Sequence, residues 1–215
     1  RDRTVGITGR IATETQMVPV GHLTCVGATV SELESVIDEY AAAGVHNVLA
    51  LRGDPPGGPG DQWVAHEGGL NYAAELVALA TRSGDFSVGV AAFPDPHPAS
   101  MSAQVDVEVL RAKQEAGAEF AITQFFFKSS AYFQLVDRAR SGGVTIPIIP
   151  GIMPVTNLAQ ITRFASLSGA DFPADIAAEF ERVGDDYVRD LGIEMASRLC
   201  RELLEGGAPG LHFYT

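Results

Sequence analysis

The chain has 215 residues, is 46% hydrophobic and 20% charged, and carries a net charge of −12. That length suffices for one domain, spanning 1–215, with a substantial core. The acidity argues against nucleic acid and anionic membrane as partners, because both need clustered Lys and Arg.

Taken in chain order, apolar runs alternate with helical periodicity. Val18 to Thr24 reads as a strand. Ser31 to Ala43 reads as a helix, with Leu33, Ile37 and Tyr40 three or four residues apart. Its start, Ser31-Glu32-Leu33-Glu34, fits a capping box, and Gly44 fits its close. Asn47 to Leu51 is the next strand, Asn71 to Thr81 the next helix. Ser87 to Ala92, Ala103 to Ala116, Phe120 to Gln124 and Ala131 to Arg140 continue the alternation. Ile146 to Ile149 is a strand and Asn157 to Ser166 a helix. A helical region from Pro173 to Glu205 is broken near Gly184, and Gly210 to Tyr214 is the last strand.

The order βαβα predicts an α/β fold with a parallel sheet and right-handed crossovers. About six strands are visible, whereas a closed (βα)8 barrel of TIM type has about eight. Either the sheet is open, or a barrel lacks its first βαβ portion and last helix here. The abrupt ends, Arg1-Asp2-Arg3-Thr4 and His212-Phe213-Tyr214-Thr215, favour the second. Cys25 and Cys200 are too few and too far apart for a disulfide framework, which points to a reducing, cytoplasmic compartment. No apolar run is long enough to span a bilayer.

Polar residues gather just after strands, where such folds place their chemistry. They are His22, Thr24, Arg52, Gly53, Asp54, His97, Gln124 and Tyr214. Arg52 and Asp54 read either as a rim ion pair or as site residues, and Gly53 allows close approach of a ligand. His97 lies in Phe93-Pro94-Asp95-Pro96-His97-Pro98, stiffened by three prolines. His22 reads equally as a satisfied core histidine. Phe125-Phe126-Phe127 forms an aromatic ledge, part core and part pocket wall. Lys128, flanked by Ser129 and Ser130, reads as a solvated helix cap rather than a Schiff-base nucleophile. Metal-ligand spacing is absent, and Gly57-Gly58-Pro59-Gly60 lacks the Lys-Ser/Thr of a phosphate loop.

Several segments together resemble the methylenetetrahydrofolate reductases. They are His22-Leu23-Thr24-Cys25, Ala50-Leu51-Arg52-Gly53-Asp54, Gly68-Gly69-Leu70-Asn71-Tyr72-Ala73, His97-Pro98, Ile122-Thr123-Gln124-Phe125-Phe126, Ile149-Pro150-Gly151-Ile152-Met153-Pro154 and His212-Phe213-Tyr214-Thr215. The resemblance implies a (βα)8 barrel that binds FAD. It implies reduction of 5,10-methylenetetrahydrofolate to 5-methyltetrahydrofolate with NADH or NADPH, in one-carbon metabolism and methionine synthesis, and it admits a homo-oligomer.

By the same resemblance, Asp54 stabilises the cationic folate iminium. Gln124 hydrogen-bonds the pterin, and Gln160, Phe164 and Tyr214 contact substrate. The implied flavin contacts are His22, Arg52, Gly53, Asp54, Tyr72, Ala73, Phe93, His97, Ala99, Asp106 and Lys113. Phe93 stands where some members have Tyr, and Val109 and Ala112 where some have polar groups. The family's general acid is a Glu in an N-terminal Glu-Phe-Phe-Pro-Pro type segment, which residues 1–215 lack, as they lack the Leu-Asn-Arg that usually follows His-Phe-Tyr-Thr. Alignment places Arg1 in the helix after the family's second strand. A catalytically impaired folate- or flavin-binding relative is the alternative. A sugar-phosphate aldolase or isomerase on the same barrel would need a strand-borne lysine or acid/base pair and a phosphate site of glycines near the last strands.

Overall fold

The computed structural model describes residues 2–55, 57–58, 61–97, 100–157, 159, 161–162, 172–184 and 187–214. The chain divides into two compact units, Arg1–Ala91 with Val109–Ala121, and Ala92–Glu108 with Ile122–Thr215. Six strands hydrogen-bond in chain order in one sheet. No helix among the described residues is long and apolar enough to cross a membrane.

The first unit opens with α1 (Asp2–Glu14), a helix that follows from the alignment of Arg1 but not from periodicity. Then come β1 (Gly21–Thr24), α2 (Val30–Ala42), β2 (Asn47–Leu51), α3 (Ala73–Ser83) and β3 (Ser87–Ala92). β1, β2 and β3 are parallel, with His22 opposite Leu49 and Leu49 opposite Gly89. Residues paired across a parallel ladder share a face. Leu23, Val48, Ala50, Val88 and Val90 make the face that packs away from water, and all are buried. His22, Leu49 and Gly89 lie on the other face.

The helix layer is fixed to the buried face by α2. Its stripe of Leu33, Val36, Ile37 and Tyr40 is buried, and losing a side chain such as Ile37 would cost about 2–5 kcal/mol. Tyr40 reaches across Gly21, where a Cβ would sit 2.6 Å from the ring. Its hydroxyl donates to the His22 carbonyl at 3.0 Å. The capping box lies two residues earlier than expected. Thr29 caps α2: the Glu32 N–H donates to the Thr29 hydroxyl, and the Thr29 N–H donates to the Glu32 carboxylate. Thr29 wins over Ser31 because a bridge to Gly69 and the Val30 N–H on the Gly68 carbonyl hold that point of the chain.

The helix α4 (Ala103–Glu115) and strand β4 (Phe120–Phe125) each run from one unit into the other. The second unit adds α5 (Ser129–Ser141), β5 (Ile148–Ile152), α6 (Ala174–Val183), α7 (Val188–Glu205) and β6 (His212–Phe213). The break expected near Gly184 separates α6 from α7. Within the expected helix from Asn157 to Ser166, Ala159, Ile161 and Thr162 are helical, and the other positions after Asn157 lie outside the described residues. The core of this unit joins Phe125, Val155, Ile161, Ile176, Phe180 and Val188.

One residue ties β4 to β5 and to the residue that follows β6. The Thr123 hydroxyl accepts the Gly151 N–H at 2.8 Å, and the Thr123 carbonyl accepts the Tyr214 hydroxyl at 2.9 Å. Gly151 fits there because it has no Cβ; one would meet the Thr123 carbonyl and the Tyr214 ring. β5 therefore runs through Pro150-Gly151 to Ile152, three residues past the expected end, and pairs with β6 at Gly151↔His212 and Ile152↔Phe213.

Candidate active site

In the first unit the ladder continues past the strands. The Cys25 N–H donates to the Leu51 carbonyl at 3.2 Å and the Val26 N–H to the Arg52 carbonyl at 3.0 Å. The Cys25 thiol also donates to the Arg52 carbonyl, at 3.4 Å. Burial pushes that thiol's pKa up. The main chain at Arg52 is thus fixed from two sides before its side chain does anything.

Gly53 turns the chain with φ +82°, a left-handed value that L side chains rarely adopt. Val26 and Thr24 press against the place where a Cβ would be. Asp54 follows, exposed. Among the described residues Arg52 and Asp54 form no ion pair, so the rim-pair reading is not what the structure shows. The Arg52 guanidinium instead lies 4.8 Å above the centroid of the Trp63 ring. Trp63 donates through Nε1 to Asn71 Oδ1 at 3.3 Å. The N–H groups of Asn71 and Tyr72 both donate to the Glu75 carboxylate, at 2.6 and 3.0 Å, at the start of α3. The strand end, the loop and the helix N-terminus form one connected array.

His22 is exposed, which rules out the core-histidine reading. Tyr72 is exposed and Ala73, the first residue of α3, is buried. Lys113 is only 8% exposed, and its ammonium donates to the Ala91 carbonyl at 2.9 Å.

In the second unit, the proline-rich loop is held at several points. The His97 N–H donates to Asp106 at 3.0 Å, and Phe93 meets the His97 ring edge-on at 4.6 Å. Arg138 donates to the Pro94 carbonyl at 3.0 Å. Val109 and Ala112, on the part of α4 that belongs to the first unit, are exposed. Gln124 is half-buried and its Oε1 accepts the Phe125 N–H at 3.0 Å. Tyr214 packs edge-on against Phe125 and His212. Its hydroxyl is committed to Thr123, and burial pushes the phenol up to about 12. Lys128, at the N-cap of α5, pairs with Asp175 at 2.9 Å, which fits the solvated cap. That ion pair draws the Asp175 pKa down. Ala99, Gln160 and Phe164 lie outside the described residues.

Two residues were not singled out from sequence. Trp63 is the chain's single tryptophan, sited 11 residues after Arg52, and that isolation is the one signal it gives. Thr123 sits inside a quoted motif but gives no sign that it braces two strands.

The model of the methylenetetrahydrofolate reductase family matches residues 1–215. The chain belongs to the methylenetetrahydrofolate reductase family. The 5,10-methylenetetrahydrofolate reductase of Escherichia coli is 40% identical over 217 residues, covering 100% of this chain and 71% of that protein. Methylenetetrahydrofolate reductase (NADH) 1 of Arabidopsis thaliana is 34% identical over 227 residues, covering all of this chain and 38% of that protein. A solved structure shares the fold at TM-score 0.60 and 14% identity, over 93% of this chain and 66% of that one. It is a protein of Clostridium thermocellum that binds two copies of 5-methyl-5,6,7,8-tetrahydrofolic acid.

Proposed function

We propose that the protein reduces 5,10-methylenetetrahydrofolate to 5-methyltetrahydrofolate with NADH or NADPH through bound FAD, on the (βα)8 barrel of its family. One-carbon metabolism in the cytoplasm is the setting, and a homo-oligomer is compatible with it. The observation that carries the reading is the Arg52-Gly53-Asp54 turn: a cation that makes no ion pair among the described residues, a residue with no side chain, and an exposed carboxylate, in succession at a strand end. That set suits a large, anionic, planar cofactor beside a substrate that becomes cationic.

Bound FAD would supply a two-electron carrier between the nicotinamide and the folate. The protein's residues bind, orient and stabilise. In the first unit we assign His22, Arg52, Gly53, Asp54, Tyr72, Ala73 and Lys113 to the cofactor. In the second we assign Phe93, His97, Ala99 and Asp106 to it. Arg52 offers in-plane N–H donors to acceptor oxygens, and Gly53 permits close approach of its backbone. Asp106 acts by holding the His97 backbone.

Gln124, Gln160, Phe164 and Tyr214 are assigned to substrate. The Gln124 carboxamide presents both a donor and an acceptor, as the edge of a pterin requires. Asp54 stabilises the positive charge that appears when the folate's five-membered ring opens; it is not assigned the proton transfer. A carboxylate about 4 Å from a unit charge contributes roughly 4 kcal/mol at an effective dielectric of about 20. Asp54→Asn is therefore expected to slow folate reduction by about two to three orders of magnitude, while the variant still binds flavin.

The test uses the full-length protein. A yellow protein that oxidises NADH or NADPH with menadione and forms 5-methyltetrahydrofolate bears the reading out. Protein that binds no flavin, or that never forms the methyl product, overturns it.

A further inference from the structure

We propose that Trp63 is a positioning residue for the cofactor, acting by holding the Arg52 guanidinium in place at the end of β2. This rests on the reading of Arg52 as a flavin contact and goes beyond it.

The geometry favours such a division of labour. A guanidinium has two kinds of surface. Its N–H donors lie in its plane, while its faces have none. Trp63 lies beneath the guanidinium, whose carbon is 4.8 Å from the ring centroid. Among the described residues the Arg52 guanidinium makes no hydrogen bond or ion pair, so its donors can serve a ligand. An ion pair with Asp54 would have consumed those donors, and none forms.

The indole is itself anchored. Its Nε1–H donates to Asn71 Oδ1, the Asn71 N–H donates to Glu75, and Glu75 belongs to the first turn of α3. The Arg52 main chain is held by Val26 and Cys25. Backbone and side chain of Arg52 are thus fixed by different elements. Fixing a long side chain in advance removes an ordering cost that a ligand would otherwise meet on binding. A stack at a half-exposed site is worth roughly a two- to fivefold change in affinity.

The experiment titrates full-length apoprotein with FAD, followed by quenching of flavin emission and by the emission that Trp63 contributes, taken as the difference between the parent and W63F. Trp63→Leu is expected to raise the FAD Kd roughly two- to fivefold. Trp63→Phe, which keeps a ring under the guanidinium, should bind FAD within about a factor of two of the parent. The Trp63 emission should change on FAD addition with the same Kd as the flavin signal. In apoprotein, Arg52→Met should alter Trp63 emission while circular dichroism stays the same. This arm needs no flavin and decides the stack even if Trp63→Leu does not fold.

Unchanged FAD affinity in W63L, with Arg52→Met still weakening FAD, overturns the role of Trp63 and leaves the flavin reading standing. Trp63 emission indifferent to Arg52→Met also overturns it. A parent protein that binds no FAD overturns both the flavin reading and this inference.

Discussion

Gly53→Ala isolates the turn at the centre of the candidate site. Two penalties add. An alanine at φ +82° adopts a left-handed backbone, at a cost of about 1–2 kcal/mol. Its Cβ would lie 2.5 Å from Val26 Cγ1, 3.0 Å from Val26 Cβ and 3.2 Å from Thr24 Cβ. Overpacking of that kind costs about 1–3 kcal/mol. The sum is roughly 3 kcal/mol, or a fall in Tm of about 6–12 °C for a chain of this size. The two parts separate in a double-mutant cycle with Val26→Ala. Removing Cγ1 relieves the closest contact and leaves the backbone cost, so G53A and V26A should couple favourably by about 1–2 kcal/mol. Thermal and urea unfolding of the four proteins gives both numbers. G53A within about 0.5 kcal/mol of the parent, or strict additivity with V26A, would refute the argument.

Other consequences can be measured separately. Asp106→Ala removes the acceptor of the His97 N–H and should cost about 1–3 kcal/mol, while Asp106→Asn keeps an oxygen there and should cost less; equal losses would show that the carboxylate does not anchor the loop. The Tyr214 phenol, held near 12 against an ordinary 10.0, has a folded pKa above its unfolded one. Its stabilisation is therefore complete below pH 10 and lost as the pH rises toward 12. Urea midpoints of the parent and Tyr214→Phe should converge across that window, and a constant difference would count against the buried phenol. In a Cys200→Ser background, Cys25 should resist thiol reagents until the protein unfolds, since it is buried, its thiol donates to the Arg52 carbonyl and its pKa is raised. Rapid labelling of the native protein would contradict that.

Much of the fold was legible because local signals agreed. β2 and β3 have the expected ends, each being a continuous apolar run bounded by polar residues or turns. The expected first strand began too early. Pro19 lies in Val18–Val20, and Val18 is 76% exposed, so β1 starts only at Gly21. β5 was displaced because Pro150 and Gly151 read as terminators, whereas the Gly151 N–H finds a threonine hydroxyl and its missing Cβ admits a neighbouring ring. The cap of α2 was misplaced because Thr29 and Ser31 each precede a Glu by three residues; contacts with Gly68 and Gly69, distant in sequence, broke the tie. Arg52, Gly53, Asp54 and His97 could be found from sequence because strand ends and proline-rich loops mark themselves. The Trp63–Arg52 stack could not, since it depends on the path of a glycine- and proline-rich loop.

The arrangement at Thr123 has an implication for how this protein can change. Positions 123, 151 and 214 share one small volume: a hydroxyl serves one strand, a carbonyl serves another, and the space between admits no methyl group. No one of the three can be replaced freely while the other two stay. A saturation library that alters them singly should therefore be depleted at all three, and most severely at 151, where a Cβ would meet the Thr123 main-chain carbonyl whatever residues stand at 123 and 214.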